Sequence, residues 1–181
     1  VSESLLLLID GYNVLAPVAG PGRRPDPMWL QRERNLLVRR LVQHLGDEVR
    51  QRTCVVFDAA NPPVDRPDQF RVEGLSIRFA IDYPEADDLL EQIIASDSAP
   101  KTLAVVSSDH RVQAAARRRG CTCFDSQPWL DKLMDGQALL APESQGKPTQ
   151  GRGEQGSELP SDKPDSIDGD DVQQWLQDFG F

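Results

Sequence analysis

Apolar runs and stretches of helical period alternate along the chain as far as Asp135. Leu5 to Ile9 is continuously apolar and closes on Asp10-Gly11, the pattern of a strand covered on both faces within a parallel sheet. Cys54 to Phe57 and Leu103 to Val106 repeat it, and Ser76 to Ile81 and Cys121 to Phe124 are shorter candidates that follow Gly74 and Gly120. About five strands are therefore expected. Between them, Met28 to Leu45 places Leu30, Leu37, Leu41, Val42 and Leu45 on one stripe, with Arg32, Arg39 and Gln43 opposite and Gly46 as the stop. Pro84 to Ser96 buries Ala86, Leu89, Leu90, Ile93 and Ile94. A third helix follows the capping string Ser107-Ser108-Asp109 and ends at Gly120, and Trp129 to Met134 forms a short fourth. Strands that alternate with helices predict an α/β domain with a largely parallel sheet.

Beyond Asp135 the composition changes. Gly, Pro, Ser, Gln and acidic residues dominate, with too few apolar side chains to order the segment. The expected organisation is a folded domain over 1–135, a disordered acidic linker over 136–170 and a short amphipathic segment over 171–181. In the last, Val172, Trp175, Leu176 and Phe179 recur at spacings of three and four. So short a helix does not persist alone, which points to docking on its own domain or on a protein partner.

Charge changes this picture only once it is divided along the chain. The net −9 splits into 17 Lys+Arg against 20 Asp+Glu from Val1 to Asp135, and 3 against 9 from Gly136 to Phe181. The tail thus carries most of the excess, and an anionic partner remains open to the domain. Of those 17 basic residues 15 are arginine, a bias that suits bidentate phosphate contacts and that GC-rich codon usage also produces. Three cysteines without metal-type spacing suit a reducing cytoplasm, and Cys121 and Cys123 read as core. The apolar run at Leu5 is far shorter than the ~20 residues of a membrane span, so no membrane is expected.

Candidate chemistry lies in the acids. In an open parallel sheet, ligands gather beyond the carboxyl ends of the strands, and there Asp10, Asp58 and Asp109 each follow a different strand. Taken singly each is a cap or turn former. Together they suggest a cation site. The second helix adds Glu85, Asp87, Asp88 and Glu91, with Asp87 better placed than Asp88 to face the rim. Clustered carboxylates repel unless protonated or bridged, so at least one pKa should rise without metal, and hard oxygen ligands favour Mg²⁺ or Mn²⁺. Ser107 and Ser108 can bond phosphate or cap the third helix, with capping the favoured reading. Arg111 is a candidate phosphate contact, His110 reads as a solvated or capping residue, and Arg117 to Arg119 complement a helix dipole. Tyr12, in a loop after the first strand, can stack a base or simply pack.

Four strings, Leu7-Leu8-Ile9-Asp10-Gly11-Tyr12-Asn13, Val55-Val56-Phe57-Asp58-Ala59, Glu85-Ala86-Asp87-Asp88 and Val106-Ser107-Ser108-Asp109, resemble the NYN domain family and its bacterial YacP-like branch. The resemblance covers about Leu5 to Met134. It implies a PIN-like three-layer fold and a metal-dependent endoribonuclease with Asp10, Asp87, Asp88 and Asp109 as its acidic site. It implies that Asp10, Asp109 and Asp87 (or Asp88) hold the metal, that Asn13 supports the site, and that RNA, in decay or ribosome-associated cleavage, is the partner. Asp58 also stands in a family motif, without an assigned role. Asn13, Ser108 and Arg111 complete the substrate-binding candidates. Two rivals stay open: a non-catalytic RNA- or ribosome-binding module that keeps the acidic rim, and a phosphotransfer or receiver-like domain. The second ranks lower, because the second aspartate and threonine of haloacid-type phosphatases are missing, and no Gly-rich phosphate loop is present.

Overall fold

The computed structural model describes residues 4–15, 27–59 and 67–141. Its elements in chain order are β1 (Leu7–Asp10), α1 (Gly11–Leu15), α2 (Pro27–His44), α3 (Asp47–Gln51), β2 (Thr53–Phe57), β3 (Gln69–Val72) and β4 (Leu75–Phe79). There follow α4 (Ala86–Ser96), a single 3-10 turn (Pro100–Thr102), β5 (Ala104–Val106), α5 (His110–Arg119), β6 (Thr122–Phe124) and α6 (Ser126–Met134). Among the described residues the strands form one six-stranded sheet in the order β3-β4-β2-β1-β5-β6. All neighbours run parallel except β3, which pairs antiparallel with β4.

The sheet thus has one strand more than the pattern of apolar runs predicts. β3 escapes that pattern because it lies at an edge: of Gln69-Phe70-Arg71-Val72 only Val72 is buried. A two-residue turn joins it to β4, with Val72 paired to Leu75 and positive φ at both Glu73 (48°) and Gly74 (92°). Positive φ at both turn residues matches the twist of the flanking strands and suits glycine at the second position.

β1 lies between β2 and β5, and Leu7, Leu8 and Ile9 are fully buried. Alternation along a strand sends Leu8, Val56 and Val105 to one face, where they pack with Leu89, Leu90 and Ile94 of α4 and Val112 and Ala116 of α5. The opposite face of β1 and β2 carries Leu7, Ile9, Val55 and Phe57, all buried, on the side of α1, α2 and α6, which touch one another. The outcome is a three-layer α/β fold. α5 starts on Asp109 and stops on Gly120, whose φ of 80° gives the left-handed cap that a non-glycine residue resists. The packed chain continues beyond Asp135: Trp129 Nε1 donates to the Leu139 carbonyl at 2.9 Å, and Ala141 is buried. Contacts divide the chain into units Val1–Glu143 and Ser144–Phe181. The linker and amphipathic segment expected over 136–170 and 171–181 lie, after residue 141, outside the described residues. No described helix is long and apolar enough to cross a membrane.

Gly11 sets the entry into α1. A Cβ on it would stand 2.3 Å from Cε1 of Phe57, whose ring is fully buried and cannot move aside into solvent. Gly11→Ala is therefore expected to destabilise the domain by about 1–3 kcal/mol, the usual cost of overpacking. Urea unfolding checks this, and a variant midpoint equal to that of the wild type would refute it.

Candidate functional site

The order of the strands reverses at β1: the chain moves from β1 outward through β2 to β4, then returns to place β5 on the other flank. Such a switch point opens a crevice at the carboxyl ends of the strands. An open cleft of about 420 Å³ lies here, lined by Asp10, Tyr12, Asn13, Asp58, Glu85, Ala86, Asp87 and Asp109.

Asp10 ends β1 and is only 5% exposed. Its Oδ2 accepts the Ser107 hydroxyl at 2.8 Å and its Oδ1 accepts the Asn13 backbone N–H at 3.2 Å. Burial pushes its pKa up to about 6; the two hydrogen bonds oppose that shift, and Asp87 and Asp109 add to it. Asp87, in the first turn of α4, is raised by burial first and by Asp109 second, with Arg111 opposing. The expected rise is present, but desolvation outranks the carboxylate repulsion from which it was inferred.

Asp109 caps α5: its Oδ1 accepts the backbone N–H groups of Arg111 at 2.7 Å and Val112 at 3.1 Å. Its own N–H donates to Ser107 Oγ at 3.1 Å. Ser107, fully buried, therefore bridges Asp109 and Asp10 with one hydroxyl. Neither serine caps α5, contrary to the favoured reading of the sequence. Ser108 gives its N–H to Asn13 Oδ1 at 2.8 Å, and its hydroxyl accepts the Ser126 N–H at 2.9 Å, which satisfies a free donor at the start of α6.

The acids of α4 divide into two sets. Asp87 and Glu85 line the cleft. Asp88 pairs with Arg111 Nη2, Glu91 accepts Arg111 Nε at 2.6 Å, and Glu85 stands 3.7 Å from Nη1. The hydrogen bonds that Arg111 donates to Asp88 and Glu91 raise its pKa further. Asp10, Asp87, Asp109, Asn13 and Asp58 are thus gathered at one cleft, whereas Asp88, Arg111 and Ser108 do not line it. Tyr12 sits in α1 rather than in a loop; Arg34 Nη1 donates to its hydroxyl at 3.1 Å, and its ring meets Phe57 edge-on at 5.4 Å. His110 is exposed and Arg117 to Arg119 end α5, away from the cleft lining. The three cysteines are unpaired, and burial lifts the Cys54 and Cys121 thiols to about 11.

Ser126 is the residue that sequence reasoning missed. It lies 113 positions from Asn13, to whose Oδ1 its hydroxyl donates at 2.8 Å, and no local signal connects the two.

A divalent ion fits the donor chemistry of the cleft, which offers carboxylate oxygens and no thiolate or imidazole. Among the described residues no three such side chains already converge on one ion position. Mg²⁺ does not require that, because it keeps several waters and binds through one or two carboxylates plus substrate phosphate. Both caps at Asp109 use Oδ1, so its second oxygen takes no part in them.

The mostly parallel sheet with acids gathered at its switch point makes this an α/β domain with an acidic cleft, and the family that its sequence matches is nuclease-like, of the PIN-like kind. Residues 7–163 match the YacP-like NYN domain, and the chain belongs to that family. Two solved structures share the fold. One is Rae1 (YacP) from Bacillus subtilis, at TM-score 0.52 and 20% identity over 72% of this chain and 74% of that one. The other is a tryptophan-to-leucine mutant of Rae1, at TM-score 0.53 and 20% identity over 73% and 76%. At that identity the likeness concerns the fold alone. No curated protein matches the chain.

The burial of Asp10 has a consequence for stability against pH. Its folded pKa, about 6, exceeds the unfolded value of 3.8, so its contribution to stability is complete below 3.8 and is lost as pH rises through 6. In chelator at pH 7.5, Asp10→Asn is expected to exceed the wild type by up to about 3 kcal/mol, at 1.36 kcal/mol per unit, and to lose that advantage by pH 4. Urea unfolding at both pH values measures it. A variant no more stable than the wild type at pH 7.5 would contradict this account of Asp10.

Proposed function

We propose that this chain is a cytoplasmic, metal-dependent endoribonuclease that hydrolyses RNA phosphodiester bonds. The observation that carries the reading is the gathering of Asp10, Asp87 and Asp109 at the switch-point cleft of a chain that belongs to the YacP-like NYN family. RNA as substrate follows from the family, since no side chain of the cleft is specific for a 2′-hydroxyl. Asp10, Asp87 and Asp109 would hold Mg²⁺ or Mn²⁺. When bound, the ion supplies positive charge to the phosphate and lowers the pKa of a water.

The chain's own residues do the rest. Ser107 holds Asp10 and Asp109 in one frame through a single hydroxyl. Burial pushes the Asp10 pKa up in the metal-free protein, and a bound cation would oppose that rise and favour the ionised carboxylate. Asn13 meets the substrate. Arg111, paired with Asp88 and Glu91, ties α4 to α5 beside Asp87 and Asp109 and is already neutralised by acids, so it acts as a strut rather than as a phosphate contact. Ser108 acts through Asn13, and Asp88 acts through Arg111. The segment over 171–181 docks on its own domain or on a protein partner and so serves recruitment to the natural target.

A non-catalytic RNA- or ribosome-binding module that retains the acidic rim is the second reading. Cleavage decides between them. Labelled single-stranded RNA should be cut in Mg²⁺ or Mn²⁺ and left intact in chelator, and Asp10→Asn and Asp109→Asn should lower kcat roughly 100-fold or more. Asparagine still caps a helix, so Asp109→Asn separates the chemistry from the fold. RNA binding without cleavage in either metal would favour the module. Truncation after Ala141 should keep the cleavage of short naked RNA and weaken recruitment to the natural target; loss of the first with the domain folded would place the tail in the site.

A further inference from the structure

The polar groups around Asn13 leave its amide a single orientation. Oδ1 accepts the backbone N–H of Ser108 and the hydroxyl of Ser126, each at 2.8 Å. A backbone N–H can only donate, so a flipped amide would set N–H against N–H. Two donors fill the acceptor capacity of Oδ1, and among the described residues Nδ2 donates to nothing. Asn13 therefore cannot offer its oxygen to a metal. What remains is the Nδ2 donor, on a residue that lines the cleft.

Its surroundings explain why one such donor matters. The cleft is otherwise lined by five carboxylates, Asp10, Asp58, Glu85, Asp87 and Asp109, together with Tyr12 and Ala86. Among the described residues that line it, Asn13 carries the only side-chain N–H. An anionic phosphodiester entering this cleft needs positive charge and hydrogen-bond donors, and a metal ion supplies the first while a side-chain N–H supplies a donor fixed to the protein. Ser126 is suited to hold the donor in place: it is 2% exposed, begins α6, and its backbone N–H is fixed by Ser108 Oγ at 2.9 Å. The hydroxyl thus comes from a third element, anchored independently of α1.

We propose that Ser126 is a positioning residue of this site. With the Ser108 N–H it saturates Asn13 Oδ1 and turns the Asn13 amide N–H toward a non-bridging oxygen of the bound phosphodiester. The proposal rests on the nuclease reading above and deepens it: Asn13 is a donor to the substrate, not a ligand to the metal, and α6 belongs to the catalytic frame although it contributes nothing to the cleft lining.

The test is steady-state cleavage of a labelled single-stranded RNA across a titration of Mg²⁺ or Mn²⁺. It compares the full-length wild type with Ser126→Ala, Ser126→Thr, Asn13→Ala and Asn13→Asp, with urea unfolding of each. Ser126→Ala should lower kcat about tenfold, the worth of one hydrogen bond, with the metal half-saturation near that of the wild type and the domain still folded. Ser126→Thr, which keeps the hydroxyl, should restore kcat to within about threefold. Asn13→Ala should lower kcat about 100-fold, as loss of a preorganised donor does, and Asn13→Asp should be slower still, because it sets a carboxylate against the phosphate. If the wild type cuts no RNA in either metal, the nuclease reading fails and takes this proposal with it. If the wild type cuts and Ser126→Ala matches it, or loses rate only through a shifted metal half-saturation, the proposal alone is overturned. Should Ser126→Ala not fold, the Asn13 pair decides: Asn13→Asp faster than Asn13→Ala, or binding metal more tightly than the wild type, makes Asn13 a ligand and overturns the proposal.

Discussion

A carboxylate ends β1, a strand buried at every position, and an ionised group taken out of water must be hydrogen-bonded or bridged by a cation. Asp10 meets that demand in two directions. Forward in the chain, α1 begins at the very next residue, so the Asn13 N–H turns back onto Oδ1. Only glycine at position 11 lets that turn pass the Phe57 ring so closely. Across the sheet, β5 ends beside β1 and delivers the Ser107 hydroxyl to Oδ2. Both bonds lower the pKa of Asp10, yet burial outweighs them and leaves it near 6. A cation is what would complete the compensation.

The same logic distributes the other acids. The start of α4 carries four carboxylates, Glu85, Asp87, Asp88 and Glu91, and Arg111 reaches across from α5 to offset part of that charge. It meets Asp88 and Glu91 at hydrogen-bonding distance and leaves Asp87 to the cleft. An exposed ion pair contributes little to stability by itself. Its value here is geometric, because the guanidinium joins the helices that carry Asp87 and Asp109.

Behind the acids lies a layer of neutral polar groups. Gln113, 5% exposed, donates to the Ser107 carbonyl and to Asp125, both at 2.7 Å, and accepts from Arg117 at 2.9 Å. Ser107, Ser108, Asn13 and Ser126 extend this layer from α5 through α1 to α6. Apart from the Asn13 Nδ2, which is left to the cleft, these hydrogen bonds tie the layer together, and rigidity is what a site that must hold like charges together requires.

Much of this was legible in the residues alone. Continuous apolar runs located β1, β2 and β5, because a strand buried on both faces needs apolar side chains at every position. Glycine marked the end of α5, and helical spacing named the buried face of α4 residue for residue. The acids at the strand ends could be gathered in advance because a parallel sheet sends all its carboxyl ends to one rim. Other features had no local signature. β3 exists only because β4 offers it an edge, and its half-exposed residues carry no apolar run. The division of Asp87 from Asp88 depends on where an arginine of another helix reaches, which a helical wheel suggests but does not decide. The pairing of Ser126 with Asn13 arises from two elements 113 residues apart and brought together by packing. The sequence by itself determined which groups can ionise and which segments must be buried, since those are properties of side chains and their period. Which charge is neutralised, which is left in the cleft and which hydroxyl holds the neighbouring amide were decided by tertiary structure alone, because each depends on a distance between atoms that the chain does not encode locally.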